Sequence, residues 1–281
     1  MKNVESEKSA ETDNAFEMLK REVDSIQVKL LSTTTPWYRQ ASTLISLFAF
    51  LFSFGTTVVS CNRAAEQDRH NWKQELRGLI LQIVEMPVKN VELLEKYKTK
   101  PLMLGNISSM LNQESSILAD QAALVISTIP ELVTANEYLA VAGAFHNGGL
   151  VDRAKDMRDK AIKVSATPIE AITALRELAA MAFQRGEVRN GQAFYQEALV
   201  VFDKPRFASF RDPGVVSFTN SYTEMFWAQM EALAKKCDAF HLHLAEAKNL
   251  AATIPAGTRE QALAQIGETE SYGCPPVFPT P

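Results

Sequence analysis

The chain has 281 residues, of which 46% are hydrophobic and 22% charged, values typical of one or two globular domains that can bury a core. Its 29 basic residues against 33 acidic ones give a net charge of -4, which lacks the basic excess that nucleic-acid binding requires. The three cysteines, Cys61, Cys237 and Cys274, are too few and too widely spaced for a disulfide scaffold or a Cys-x-x-Cys metal site.

The N-terminal segment divides into a polar tail and an apolar stripe. Residues 1–13 are polar and acidic, which predicts a disordered tail. Residues 14–35 are predicted to form an amphipathic helix or a short coiled coil, because large apolar side chains recur at spacings of three and four. Such a stripe permits homo-oligomerisation through residues 16–30, and it equally permits contact with lipid headgroups or a neighbouring domain. The stripe consists of Phe16, Leu19, Val23, Ile26 and Leu30.

An apolar run follows from Ala41 to Cys61, and its 21 residues include no charged side chain, Asn, Gln or His. With a rise of about 1.5 Å per residue, the run reaches about 31 Å, which matches a hydrocarbon core of about 30 Å. Trp37 and Tyr38 precede the run, where aromatic side chains favour the membrane interface. Residues 37–61 are therefore predicted to be a single transmembrane helix.

A cleaved or lipid-modified signal is the main alternative to this span. Val58, Val59, Ser60 and Cys61 resemble the box before a lipid-modified cysteine, but a signal sequence has a short basic lead, whereas forty residues precede this run. Three bases before the span and four after it are too even to assign an orientation. The expected location is a single-pass position in the plasma membrane, or in the inner membrane of a bacterium, with the side of the C-terminal domain undecided.

Residues 62–100 are predicted to form juxtamembrane helices. Helical spacing continues from Arg63 to Met86 without a proline, so the membrane helix is expected to run on. Pro87 lacks an amide donor and disfavours helix at the preceding residue, so it is expected to end or kink this helix. A shorter helix from Val88 to Tyr97 is then expected.

The C-terminal body, residues 105–268, shows helical spacing almost throughout and no useful strand-like alternation, so the fold class is predicted to be all-α. Prolines and glycines separate its segments. Residues 269–281, which end in PPVFPTP, are predicted to be a Pro-rich tail. The predicted helices cover 107–128, 131–146, 150–165, 168–185, 188–203, 215–235, 238–253 and 258–266.

An internal repeat is present in this body. A shift of 37 residues aligns Gly149 with Gly186 and Pro168 with Pro205. The two aligned units resemble the tetratricopeptide repeat (TPR) family in their aromatic, small and glycine positions. These positions are Tyr138, Val141, Ala142, Phe145, Gly149, Ala154 and Ala161 in the first unit and Leu178, Ala179, Gly186, Tyr195 and Ala198 in the second.

The resemblance is incomplete at identifiable positions. Gly191 stands where the family has a small Ala, and Arg158 stands where it has an aromatic residue. A third unit is only suggested, by Trp227, Ala228, Ala239, Leu244, Ala247 and Pro255. The resemblance implies a right-handed, TPR-like solenoid of helical hairpins after the transmembrane helix.

In such a solenoid the first helix of each hairpin lines a concave groove. The resemblance therefore implies a membrane-anchored scaffold that binds a protein or peptide partner in that groove. The matching positions lack the repeated Lys and Asn with which some family members clamp a terminal carboxylate, so an internal peptide or an amphipathic helix is expected. The groove positions are Asn136, Leu139, Gly143, His146, Thr173, Arg176, Ala180 and Phe183.

Two other classes of function stay open, a homo-oligomerising structural membrane protein and, as the weakest alternative, a cryptic enzyme. The chain has no phosphate-binding, dinucleotide-binding, nucleophile-elbow or His-Glu-x-x-His motif, so neither an enzyme nor a cofactor is expected. Cys237 and His241 have the i, i+4 spacing of a metal pair, but a structural zinc site needs about four ligands, and no metal is expected. Cys237 and Cys274 are expected to pair only in an oxidising compartment.

Overall fold

The computed structural model of the chain describes residues 18–28 and 37–274, and their side chains except at 37–44, 47, 55–65, 101, 102 and 272. Every element in these ranges is helical, which confirms the all-α class. The helices are α1 (residues 18–28), α2 (Trp37–Tyr97), α3 (Pro101–Thr128), α4 (Ala135–Asn147), α5 (Val151–Val164), α6 (Pro168–Gln184), α7 (Val188–Leu199), α8 (Pro213–Leu233), α9 (Cys237–Ala252) and α10 (Ala256–Tyr272), with 3-10 helices at Pro130–Leu132, Val201–Asp203 and Pro205–Phe210.

The chain divides into two compact units, Met1–Asp68 and Arg69–Pro281. The first contains α1 and the beginning of α2. Helix α1 confirms helical structure for part of the predicted segment 14–35, and the large apolar side chains of its stripe are about two-fifths exposed. The predicted tail at 1–13 and the last seven residues of the predicted Pro-rich tail lie outside the described residues. Homo-oligomerisation through residues 16–30 stays a prediction.

The predicted membrane span lies within α2. Across the described part of the chain, no helix meets the length and apolarity needed to cross a membrane. Several side chains of the predicted span, at 37–44, 47 and 55–61, are outside the described set. The span at 37–61 therefore stays a prediction.

Pro87 neither ends α2 nor separates a shorter helix from it, which corrects the prediction of two juxtamembrane helices. The helix continues through Pro87 to Tyr97. Met86, directly before the proline, is 5% exposed and belongs to the core that α2 shares with α3 and α4. Burial of this helix face offsets the loss of one backbone hydrogen bond at Pro87.

The second unit begins with a hairpin of α2 and α3. Ser108 Oγ donates a hydrogen bond to Asn90 Oδ1 at 3.4 Å, which sets the antiparallel register of the two helices. Lys73 on α2 donates to the Leu132 carbonyl at 2.6 Å and pairs with Glu137 at the beginning of α4. Burial raises the pKa of Glu137, but Lys73 and Thr134 together outweigh it and hold this pKa below its ordinary value.

Three further hairpins follow: α4 with α5, α6 with α7, and α8 with α9. Successive hairpins pack on one another, α5 against α6 and α7 against α8. Thr134 caps α4 and Thr167 caps α6, each in a reciprocal capping box with a glutamate three residues later. The third hairpin, which the sequence only suggested, is therefore present. The solenoid arrangement, its handedness and membership of the TPR family stay predictions.

The three hairpins share one turn geometry. Gly149, Gly186 and Lys235 each have positive φ, at 77°, 75° and 60°. In each turn the next residue donates its N–H to a carbonyl five positions back, as from Leu150 to Phe145, at 2.8 Å in all three cases. This is the helix-ending pattern that satisfies orphan carbonyls and favours glycine. The alignment of Gly149 with Gly186 is thus confirmed, and a lysine occupies the equivalent position of the third turn.

Because left-handed backbone costs a residue with a Cβ about 1–2 kcal/mol, Lys235→Gly is expected to stabilise the protein. The added freedom of glycine in the unfolded chain cancels part of this gain, leaving about 0.5–1 kcal/mol in the free energy of unfolding. Urea denaturation measures the difference. Lys236 has φ of -101°, so Lys236→Gly is the matched control and is expected to give no gain. Equal gains from both variants would contradict the shared turn geometry.

Gly191 and Arg158, two residues that differ from the TPR resemblance, have packing roles in this fold. A Cβ on Gly191 would lie 2.4 Å from the Phe183 ring, so only glycine lets α7 approach α6 at this point. Arg158 is 4% exposed and donates from Nε to Glu177 at 2.7 Å, so an ion pair occupies the place of an aromatic residue. Gly191 and Arg158 both lie at the interface of α5, α6 and α7.

The C-terminal end of the fold is held by a disulfide bond between Cys237 and Cys274, whose Cα atoms are 5.4 Å apart. A Cβ on Gly273 would lie 2.1 Å from the Phe240 ring, so the chain passes directly over this aromatic residue. Helix α10 extends to Tyr272, which places residues 269–274 within the fold rather than in the predicted tail. The disulfide fastens the end of α10 to the beginning of α9.

Candidate functional site: a groove along α8

An open groove with a volume of about 750 Å³ follows α8. Its lining is mostly apolar and also includes Lys235 and Glu268. On its polar side, Gln229 donates from Nε2 to Thr269 Oγ1 at 3.0 Å. Leu233, which also lines the groove, is 72% exposed. We call this surface the α8 groove, and define it by Phe226, Met230 and Leu233 on α8, Phe240 on α9, and Gln265 and Thr269 on α10.

Helix α6 brings a cation against Phe226, one of the residues that line this groove. The Arg176 guanidinium lies over the Phe226 ring, with Cζ 4.9 Å from the ring centroid. Within the described residues it has neither a hydrogen bond nor an ion pair, and burial lowers its pKa below the ordinary value. A partly desolvated, unpaired guanidinium beside an apolar surface is suited to a carboxylate of a binding partner.

An aromatic stack supports the groove from below. Trp227 stacks on Tyr195 of α7, with ring centroids 5.5 Å apart, and on His243 of α9, with centroids 3.8 Å apart. Phe183 of α6 packs against Tyr195 at 6.2 Å. Burial raises the pKa of Tyr195, whose hydroxyl donates to the Phe226 carbonyl at 3.3 Å. The stack therefore joins four helices and fixes the backbone that carries Phe226.

Two buried carboxylates accompany the stack. Glu231 is fully buried, and its Oε1 accepts hydrogen bonds from Trp227 Nε1 at 2.9 Å and Gln192 Nε2 at 2.7 Å. Among the described residues, its Oε2 has no hydrogen-bond partner. Glu224 Oε2 lies 2.7 Å from His243 Nδ1. These pairs lock α7, α8 and α9 together, since a buried polar group left unpaired would cost about 1–3 kcal/mol.

Two of the sequence-predicted site residues, Arg176 and Phe183, contact or pack near groove residues without lining the α8 groove themselves. Arg176 contacts Phe226, and Phe183 belongs to the cluster against which Phe226 and Met230 pack. Thr173 and Ala180 lie on the same helix and are partly buried. The predicted site on α6 stays a prediction, with Arg176 and Phe183 as its links to Phe226 and Met230.

The predicted α4 residues lie elsewhere in the second unit. Asn136 is exposed and donates to Glu170 at 3.4 Å, and Leu139 packs on the core shared by α2 and α3. Gly143 lines a separate cavity of about 410 Å³ that faces α2 and α3. The buried Nδ1 of His146 has no hydrogen-bond partner within the part of the chain that the structure describes, and burial lowers the pKa of His146, with Arg158 acting in the same direction. No contact joins these residues to the α8 groove in the described structure.

Sequence reasoning missed the α8 and α10 residues of the groove. The apolar spacing of Phe226, Met230 and Leu233 marks one face of α8, and this signal was available without showing which helix lies opposite. Cys237 is bound to Cys274 and is not free to ligate a metal with His241. Among the described residues, no cluster of three or more His, Cys, Asp or Glu side chains is arranged to hold a metal ion.

Fold and groove together define an all-α protein of stacked helical hairpins with an apolar groove beside an unpaired cation. Neither a protein-family model, nor a curated protein, nor a solved structure matches the chain.

Proposed function

We propose that this protein is a membrane-anchored helical scaffold that binds an amphipathic helix carrying acidic groups in the α8 groove. The observation that carries the proposal is Arg176, a partly buried guanidinium that has no hydrogen bond or ion pair among the described residues and lies on the Phe226 ring of the groove. An acidic side chain of the partner would pair with this cation in a site of reduced solvent.

The shape of the groove supports a helical occupant. Phe226, Met230 and Leu233 are spaced by four and three residues along α8, so they present an apolar ridge about two turns long. A partner helix with anchors at i, i+3, i+4 and i+7 packs into such a ridge and the polar side of the groove. The hairpin array and the TPR resemblance are consistent with a binding role, since stacked repeats present extended surfaces to partners.

The membrane anchor is supported by the described side chains of residues 45–54. The large apolar side chains there are 45–76% exposed and cover more than half of the helix circumference, with Ser46, Ala49 and Ser53 on the remaining side. A helix with this much exposed apolar surface needs an apolar environment around it, and a bilayer supplies one. We therefore propose that residues 41–61 hold the scaffold in a membrane.

Co-flotation with phospholipid vesicles tests both parts of the proposal. The probe is a fluorescent helical peptide with leucines on one face and glutamates on the other. The full chain is expected to float with the vesicles and to carry the peptide with it, whereas a chain without residues 41–61 is expected to bind the peptide in solution without floating. Flotation of the shortened chain would contradict the anchor.

Arg176→Glu tests the groove itself. This variant is expected to float normally but to bind the glutamate peptide about 30-fold more weakly, since reversing one charge of a desolvated pair costs about 2 kcal/mol or more. Arg189→Glu, an equal charge change at an exposed position of α7, is the matched control and is expected to leave binding unchanged. A peptide with lysines in place of glutamates is expected to bind poorly. Equal binding of both peptides by the unmodified chain would contradict an acidic partner.

A further inference from the structure

The cavity beside Gly143 lies between α2, α3 and α4 and has a volume of about 410 Å³. Its mouth carries exposed residues, among them Asn112 and Asn147. In the described part of the chain no charged residue lines this cavity, which is separate from the α8 groove. Its buried wall consists of side chains that are at most 5% exposed, those of Ile83, Met86, Ser115 and Ala144.

The cavity is large enough for a small organic molecule. Protein interiors are normally close-packed, and voids larger than a water molecule are few. A Cβ placed on Gly143 would have no packing neighbour within 4 Å, so α4 leaves open space at this point. A cavity of about 150 Å³ holds benzene, so one of about 410 Å³ has room for about 15 non-hydrogen atoms.

Ser115 brings an unpaired hydroxyl to this cavity. The residue is 4% exposed, and its side chain makes no hydrogen bond among the described residues. By contrast, Ser127 on the same helix donates to the carbonyl of Leu124 in its own helix, at 2.6 Å. A buried hydroxyl without a partner is costly, and a molecule in the cavity can supply the missing hydrogen bond.

Pro87 adds a free acceptor on the opposite wall. In a regular helix the N–H of residue 87 would donate to the Ile83 carbonyl, but proline has no N–H, and α2 continues through it. Ile83 and Pro87 both line the cavity. The hydrogen bond between Ser108 and Asn90 sets a register that also places Ile83 level with Ser115. One hydroxyl and one carbonyl without partners therefore lie at the same level of the cavity.

We propose that this cavity is a binding site for an uncharged, mainly apolar molecule of up to about 15 non-hydrogen atoms that carries one hydroxyl group, such as an aliphatic alcohol. The ligand hydroxyl donates to the Ile83 carbonyl and accepts from Ser115 Oγ. The apolar body packs on Met86, whose flexible side chain adapts to irregular spaces. A charged ligand is excluded, because no lining residue would pair with its charge.

Photolabelling of the full chain in lipid nanodiscs tests the site. The probe is an octanol with a diazirine on its chain, and labelled residues are mapped by mass spectrometry of peptides. Label is expected in segments 83–87 and 140–144, and excess octanol is expected to remove it, whereas excess octanoate is not. Absence of octanol-sensitive label from these segments would overturn the proposal and leave water as the only occupant. Equal competition by octanoate would contradict an uncharged ligand.

Gly143→Leu tests whether the ligand occupies the cavity. The new side chain enters the open space, so octanol-sensitive label is expected to fall about tenfold while the protein stays folded. Gly78→Leu makes the same change at an exposed position of α2 that also has no packing neighbour within 4 Å, and it is expected to leave labelling unchanged. Undiminished label in Gly143→Leu would place the probe outside the cavity.

Pro87→Ala and Ser115→Ala test recognition of the hydroxyl. Alanine at position 87 supplies the N–H that occupies the Ile83 carbonyl, so about fivefold more octanol is expected to be needed for competition. The same variant is expected to unfold at a temperature about 5 °C higher, so weaker binding there cannot come from misfolding. Ser115→Ala is expected to weaken competition to a similar degree, and Ser109→Ala, at an exposed position of α3, to have no effect. Unchanged competition in both Pro87→Ala and Ser115→Ala would contradict the proposed hydrogen bonds.

Discussion

Replacing Cys237 and Cys274 with serine is expected to lower the free energy of unfolding by about 4 kcal/mol. The bond closes a loop of 37 residues. Cross-linking a loop of this length lowers the conformational entropy of the unfolded chain by an amount that corresponds to about 4 kcal/mol. For a unit of about 200 residues, the change corresponds to a drop of about 10 °C in the midpoint of thermal unfolding. Differential scanning calorimetry and urea denaturation of the full chain measure the two quantities.

Reduction supplies the control for this pair of substitutions. Dithiothreitol is expected to destabilise the unmodified chain by the same amount and to leave the double serine variant unchanged. Cys61→Ser removes the remaining cysteine and is expected to have no effect on the sensitivity to reduction. If the unmodified chain were indifferent to dithiothreitol, the bond would contribute no stability in solution.

The disulfide also bears on where the second unit resides. Disulfides persist in oxidising compartments and are rare where thiols are kept reduced. A contribution of about 4 kcal/mol is a large part of the 5–15 kcal/mol by which domains are normally stable. The end of α10 and the α8 groove beside it therefore have their full stability in an oxidising compartment.

The order of the helices was predictable because the spacing of apolar residues along the sequence shows where each helix lies. The repeat signal also identified the turns at Gly149 and Gly186, since glycine marks the left-handed backbone that such turns require. Lys235 adopts the same geometry without any such mark, so the third turn could not be recognised in this way. Pro87 led to a prediction that the helix ends there, whereas α2 continues to Tyr97. The local preference of proline is outweighed by core contacts that only the folded chain makes.

The site was predictable only in part, for a related reason. Periodicity shows which face of a helix is apolar, but the neighbour of that face depends on how the hairpins stack. Arg176 and Phe183 were selected as groove residues on α6, and the groove they adjoin is formed by α8 and α10. Nothing in the sequence marks Glu231 as buried, because a charged residue is usually exposed. Its complete burial between Trp227 and Gln192 follows from tertiary packing alone.

Trp227→Ala is expected to destabilise the protein by about 4 kcal/mol, an effect similar to that of losing the disulfide. The indole is 6% exposed and stacks between Tyr195 and His243, so its removal leaves a large cavity where α7, α8 and α9 meet. The change also removes one of the two donors to the buried Glu231 carboxylate. Urea denaturation followed by circular dichroism measures the loss.

Two further variants separate the parts of this effect. Trp227→Phe keeps an aromatic ring in the stack but removes the Nε1 donor, and it is expected to cost about 1–2 kcal/mol. Trp72→Ala makes the same chemical change as Trp227→Ala at a position that is 39% exposed, and it is expected to cost less than about 1 kcal/mol. Similar losses from Trp72→Ala and Trp227→Ala would contradict the stacked arrangement. Because the stack carries the backbone of Phe226, the loss of stability in Trp227→Phe is also expected to be accompanied by weaker binding in the α8 groove.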